Sequence, residues 1–287
     1  MASQTDAVRA TYRMARPGPL ATLKGTVRDV LSRRRLIQYL VRADLKKHGS
    51  DTLLGNVWWI LDPLLTMLVY VILIAIILRS NREAYPLFIF CAILPWKWFS
   101  STIGAAVTGI TTRELIIKQV NFPKIVLPIA ITAGGVVSFA FGLVPLLAML
   151  VFIYPSHVSG WLLALPIVAA VQFVLTLALS ILASALTVFY RDIGNLAGHL
   201  LRLWFYLSPA LYGTDQLDKI AKENPSLFSI YELNPFAAIF ESYRNLIYYG
   251  QAPTWNLLGL VLLESLVLLV VAVLVFRRLE PSFAKIL

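Results

Sequence analysis

Six long apolar runs constrain this chain more than any other feature of its sequence. They fall at about 57–78, 87–110, 126–153, 161–189, 198–213 and 255–276. A helix crossing the roughly 30 Å hydrocarbon core of a bilayer needs about 20 mostly apolar residues. Each run therefore predicts a transmembrane helix, and the expected fold class is all-α, polytopic, with six spans. The third and fourth runs are long enough to tilt or protrude; the fifth is short and contains Arg202. Composition agrees: 59% of residues are hydrophobic, 14% are charged, and the mean hydropathy is +0.76. Average soluble domains are roughly 45–50% apolar and about 25% charged. Too little polar surface remains to clothe a water-facing globule, so lipid is the expected solvent.

The net charge of +10 is concentrated rather than spread. Residues 1–56 hold eleven of the 25 Lys and Arg, as a cytosolic flank beside anionic lipid would. That distribution argues against a nucleic-acid partner. The first apolar run begins near Val57, beyond the roughly 15–30 residues of a cleavable signal, so the N-terminus is expected to stay in the cytosol. Six spans then return the C-terminus to the same side. The predicted cytosolic pieces 111–125, 190–197 and 277–287 carry more cations than the predicted outer pieces 79–86, 154–160 and 214–254, where Arg79, Arg82, Lys219, Lys222 and Arg244 stand. The chain thus divides into a basic N-terminal segment (1–56), a transmembrane domain (57–276) and a short tail (277–287).

Two segments read as amphipathic rather than spanning. Residues 33–48 place Leu36, Tyr39, Leu40 and Ala43 on one helical face with cations around the rest, which suits a helix lying in the inner headgroup layer. Residues 111–124 form a short mixed helix that Pro123 ends. The outer segment 214–254, broken by Pro225, Pro235 and Pro253, is too polar to span and too apolar to float free. It is expected to form short re-entrant helices covered by protein.

Several chemistries are excluded. No glycine-rich phosphate loop occurs, no His-Glu-x-x-His pattern occurs, and His48, His157 and His199 fall in separate regions. The single Cys91 rules out an intrachain disulfide. Asp215 and Asp218 share one outer loop as solvated charges. Inside the spans Lys97, Arg202 and Glu264 stand out, with Asp62 near an end. Such residues face protein or water rather than lipid. Lys97, between Trp96 and Trp98, is expected near the outer interface where it can snorkel. Glu264 alone is a thin basis for a proton pathway, and a structural partner is the expectation for it.

Six ordered motifs then look familiar: LVRADLKKHGSDTLLGNVWWILDPLL (40–65), PLFIFCAILPWKWFSSTI (86–103), LIIKQVNFPKIVLPIA (115–130), LTVFYRDIGNL (186–196), FYLSPALY (205–212) and LNPFAAIFESYRNLIYYG (233–250). Together they resemble the permeases of type-2 ATP-binding-cassette exporters, in the branch that exports lipid-linked polysaccharides such as O-antigen, teichoic acid, capsule and galactan. The resemblance implies a homodimer completed by two copies of a separate cytosolic ATPase in the cytoplasmic membrane. ATP and magnesium would sit in that partner, with no cofactor in this chain, which is then not itself an enzyme. The substrate implied is a glycan on a polyprenyl-diphosphate carrier.

The same resemblance places a coupling helix in the first internal loop, with Arg113, Glu114, Lys118, Gln119 and Asn121 as ATPase-coupling residues. It makes 33–48 an interface helix, where Arg33, Arg34, Arg35, Arg42, Lys46 and Lys47 would attract the lipid diphosphate; plain lipid contact explains those cations equally well. Trp58, Trp59, Trp96, Trp98, Phe99 and Tyr206 are candidates for ring faces that stack on sugars, against the alternative of interfacial belts. Ser208-Pro209 breaks the fifth helix and is a candidate gate, and Asn234 should cap the helix that Pro235 begins. Arg191 would pair with Asp192, reach the ATPase, or simply stop a span. The basic stretch before Leu36 is longer than the family pattern requires. Rival readings keep the fold and change the cargo to a drug or lipid, or make the chain a membrane enzyme on lipid-linked sugars or an ion channel.

Overall fold

In a computed structural model, residues 18–49, 54–73, 83–212 and 233–287 are described. Residues 1–17, the end of the first expected span and its following loop, and the outer stretch 213–232 with Asp215 and Asp218 lie outside them. Among the described residues all regular structure is helical. The chain begins with α1 (Pro19–Ser32) and α2 (Arg34–Gly49), and a short turn leads into α3 (Trp58–Val71). Then come α4 (Tyr85–Thr108), the one-and-a-half-turn α5 (Glu114–Gln119), α6 (Val126–Phe152) and α7 (Leu165–Phe189). They are followed by α8 (Asp192–Leu207), α9 (Pro235–Ile247) and α10 (Trp255–Ile286).

Among the described residues, four elements are long and apolar enough to cross a membrane: α4, α6, α7 with its preceding turn from Gly160, and α10. They fall on the second, third, fourth and sixth apolar runs. The fifth run differs from expectation. Its helix starts at Asp192 and stops at Leu207, so it is shorter than a bilayer and carries a polar face. The described part of the first run gives α3, with Pro63 inside it.

Burial shows how the spans divide their work. In α4, 78% of the span is buried, against 28% for α6 and α10. Helix α4 is therefore the central strut, and the other two turn large apolar faces outward. Close approach of α6 to α4 depends on missing side chains. A Cβ on Gly142 would lie 2.3 Å from Leu94 Cδ1, and one on Gly135 would lie 2.3 Å from Thr102 Oγ1; small residues at such seams let backbones meet in lipid. Across α4 and α7, the fully buried Gln172 donates to the carbonyl of Pro95 at 2.8 Å. Helices α7 and α10 form the most extensive pair in the fold.

Two ends of the bundle are distinct. At the basic end, α1 and α2 lie against the close of α10 and the start of α6. Leu36 and Leu40 pack into the apolar cluster there, but Tyr39 is 69% exposed and Ala43 is exposed as well. The half-buried stripe of α2 thus follows 36, 37, 40, 41, 44 and 45, one step round from the expected face. The described part of the basic stretch before Leu36 forms α1, tied down by Arg277. Its guanidinium donates to Asp29 Oδ2 at 2.6 Å and to Thr26 Oγ1 at 2.9 Å. The last helix continues to Ile286, so the expected tail is an extension of the final span.

Three charged residues stand where the sequence alone did not place them. Lys97 is the thirteenth of the 24 residues of α4, midway along it rather than near an interface, and it is paired with Asp62. Arg244, counted from sequence among the cations of the outer pieces, is 3% exposed. Glu264 is exposed on the apolar face of α10 with no ion pair among the described residues. Cys91 is fully buried, consistent with a packing role.

Candidate functional site

A cavity lies between α3, α4 and α8. Its volume is about 540 Å³ and it is partly open, within the range of roughly 300–1,000 Å³ typical of ligand pockets. Small residues make the room: Gly104 on α4 and Gly194, Ala197 and Gly198 on α8. At the end nearer the middle of the helices the lining changes to Lys97, Arg202, Tyr70, Trp96 and Tyr206. Lys97 Nζ meets Asp62 Oδ2 at 2.6 Å and donates to Thr66 Oγ1 at 3.4 Å, both across the seam from α3. Arg202 is exposed, and no ion-pair partner stands beside it among the described residues.

The expected ring-bearing residues divide sharply. Tyr206 is 60% exposed and lines the cavity; Trp96 lines it with one edge and is otherwise buried. Trp98 and Phe99 face no open space. Trp98 stacks on Phe139 at 4.6 Å, and Phe99 sits among Trp96, Trp204 and Phe236. Their position on the inner side of α4 makes them packing for the bundle. Trp58 is exposed at the start of α3, away from the cavity lining; the side chain of Trp59 lies outside the described residues.

Opposite the basic end, the break after α8 joins two of the sequence motifs. Ser208 has extended backbone and is buried together with Pro209. Asn234 Nδ2 donates to Ser208 Oγ at 2.8 Å, while Asn234 Oδ1 accepts from Trp204 Nε1 at 3.0 Å and from the backbone N–H of Phe236. Asn234 therefore caps α9 as expected and also latches it to α8. The carbonyls that Pro209 leaves beyond the helix go to Arg244, which donates to Ala210 O at 2.7 Å and Tyr212 O at 3.1 Å. Its guanidinium lies 3.8 Å from the Phe88 ring. His157 Nδ1 lies 2.5 Å from the Tyr248 carbonyl, joining the turn after α6 to the end of α9.

At the basic end, α5 presents an accessible surface. Leu115, Ile116 and Val120 are exposed apolar residues beside Lys118, Gln119 and Asn121, while Ile117 and Phe122 anchor the segment in the bundle. Glu114 and Lys118 pair at 2.6 Å one turn apart. Arg113 instead faces inward: it grips both oxygens of Asp44 at 2.7 Å and donates to Gly109 O at 3.0 Å. Arg33, Arg34, Arg35, Arg42 and Lys46 are all exposed; the side chain of Lys47 lies outside the described residues. No cluster able to hold a metal ion occurs among the described residues.

The sequence reading missed the pairing of Lys97 with Asp62, the convergence of Arg202 on the same cavity, and the burial of Arg244. The signal for the first two was present, since each is a lone charge in an apolar run. Nothing in a single sequence says which lone charges meet.

The ABC-2 type transporter family matches residues 35–248. An O-antigen export system permease protein, RfbA, from Myxococcus xanthus is 32% identical over 259 residues, covering 90% of this chain and 98% of the relative. A protein of the same name from Klebsiella pneumoniae is 28% identical over 254 residues, covering 88% and 95%. The match spans the cavity, the break at Ser208-Pro209 and the surface of α5 together, and the chain belongs to the ABC-2 type transporter family.

Proposed function

We propose that this chain is the membrane-spanning half of an ATP-driven exporter that moves an O-antigen-type polysaccharide on a polyprenyl-diphosphate carrier across the cytoplasmic membrane. The observation that carries this reading is the cavity between α3, α4 and α8. Its cations sit at a depth where charge is costly, and rings of Tyr70, Trp96 and Tyr206 stand beside them. A hydrocarbon substrate needs no cations there, and an ion channel needs no flat rings. The names of the full-length relatives favour a glycan over a drug.

Two copies would complete the pathway, because α3 and α8, which wall the cavity, also expose Leu65, Leu68, Leu203 and Leu207. Both termini face the cytosol in this reading, with the cations of α2 at the inner headgroups. The exposed patch on α5 docks a separate ATPase, which supplies ATP and magnesium. The chain itself is a transport subunit rather than an enzyme.

Co-purification from native membranes tests the assignment. A stoichiometric ATPase subunit whose hydrolysis rises with polyprenyl-linked glycan is the expected outcome. A lone oligomer with no ATPase, conducting ions in planar bilayers, would overturn it.

A further inference from the structure

We infer that Lys97 and Arg202 form a diphosphate-binding site halfway through the membrane, and that Asp62 holds the place of the anion while the site is empty. The inference deepens the export reading and rests on it for the direction of transit, but the binding it asserts is measurable without transport.

The cavity is chemically one-sided. Two cations line it, and none of its lining residues is acidic. The one carboxylate nearby, Asp62, reaches Lys97 from outside the lining and is itself 53% exposed. Counting the three charges leaves an excess of one positive charge at this depth. Lys97 is the sole charged residue in α4, and a cation so placed needs a counter-ion or water. Asp62 supplies that for Lys97. Nothing among the described residues supplies it for Arg202.

The geometry also provides an approach. The cavity lining extends along α4 from Thr108, at the basic end, to Lys97, a run of ~16 Å at the helical rise. The lower half is walled by glycines and small residues, wide and without charge. An anion gathered by the exposed arginines of α2 would meet no second cation until Lys97 and Arg202. Hydroxyls of Thr66, Ser100 and Tyr206 stand around that point as further partners for phosphate oxygens. A guanidinium and an ammonium on opposite walls suit a diphosphate, which has oxygens enough for both. When the anion arrives, Lys97 exchanges one carboxylate partner for a phosphate, and Asp62 turns to the open side of α3. No covalent step is involved.

The test uses the full chain in nanodiscs of zwitterionic lipid, with geranylgeranyl diphosphate, geranylgeraniol and inorganic pyrophosphate as probes. Binding is read by microscale thermophoresis. Wild-type protein is expected to bind the lipid diphosphate at least about tenfold more tightly than the alcohol. Lys97→Gln and Arg202→Gln should each weaken diphosphate binding by about tenfold, the equivalent of one charge-assisted hydrogen bond, and leave alcohol binding unchanged. Asp62→Asn should tighten it, and Arg278→Gln, on an exposed cation of α10, should do nothing. If Lys97→Gln folds poorly because Asp62 is orphaned, Lys97→Gln/Asp62→Asn carries the same measurement. Pyrophosphate binding with the same dependence on Lys97 and Arg202 would support the site and assign it to the free anion. Unchanged diphosphate affinity in both glutamine variants, or equal loss of diphosphate and alcohol, would overturn it. Export lost in a reconstituted complex whose diphosphate binding is intact would count against the export reading alone.

Discussion

Arg113, in the turn before α5, holds both carboxylate oxygens of Asp44 on α2 at 2.7 Å. The two side chains are 18% and 32% exposed, so the pair is shielded but not dry. It ties the segment read as the ATPase dock to the helix read as the lipid-facing one, and at the other end of that segment the backbone N–H of Lys124 is held by Glu280 of α10 at 2.5 Å. A push on α5 is therefore delivered to two helices at once.

The first prediction concerns that pair. Asp44→Ala and Arg113→Ala should each destabilise the chain by about 2 kcal/mol, as expected for a charge-assisted hydrogen bond from Nη2 shared by both carboxylate oxygens. In a double-mutant cycle the coupling should be about 1–2 kcal/mol. Thermal unfolding in detergent gives both values. A coupling near zero would show that the pair is a surface contact with no mechanical weight.

Arg244 is the second case. Breaking α8 at Pro209 leaves the carbonyls of Ala210 and Tyr212 without helical partners in a region poor in water, and the guanidinium fork serves both. Arg244→Leu should cost about 3 kcal/mol or more, since it leaves two buried acceptors unmade. Arg244→Lys should recover only part, because a single ammonium does not reproduce the planar fork. Equal stability of the Lys variant and wild type, measured by unfolding in detergent, would reduce Arg244 to a point charge.

Much of this arrangement was legible from the order of residues, and the reason is length. A run of 22 or more mostly apolar residues has one stable solution in lipid, so α4, α6, α7 and α10 were readable to within a few residues at the starts. Asn234-Pro235 was equally plain because capping is local: the side chain reaches only two residues on. What escaped was every decision made by contact between distant segments. Lys97 between two tryptophans looked like a snorkelling residue, and only the packing of α3 on α4 shows that Asp62 meets it. Trp98 and Phe99 looked like ring surfaces for sugar, yet the turn of α4 that exposes Lys97 sends them to the opposite side, against Phe139 and Phe236.

The seam between α4 and α6 gives a comparative prediction. Gly135→Ala would drive a methyl against Thr102 Oγ1 at 2.3 Å and Trp98 Nε1 at 3.0 Å. Thr102 is β-branched and Trp98 is stacked, so neither gives way easily. Gly142→Ala meets the tip of Leu94, which is free to change rotamer. Overpacking should cost about 1–3 kcal/mol at Gly135 and clearly less at Gly142. The reverse order in thermal unfolding would mean that α6 shifts as a body rather than letting single side chains move.

Glu114 and Lys118 separate docking from stability. Their ion pair is 41% and 44% exposed and lies one turn apart on a helix of six residues. Such pairs contribute about 0.3–0.5 kcal/mol, so Glu114→Gln and Lys118→Gln should unfold within about 0.5 kcal/mol of wild type. Leu115→Ser and Ile116→Ser should be equally benign, since both side chains already face outward. If α5 docks the ATPase, these four variants should nevertheless lower transport per ATP hydrolysed, or loosen the ATPase from the purified complex. The readout is the ratio of glycan exported to phosphate released in proteoliposomes. A ratio equal to wild type in all four variants, with the complex intact, would move the docking surface elsewhere at the basic end. The exposed cations of α2 would then be the next surface to test, because they lie on the same end and are held to α5 through Arg113 and Asp44.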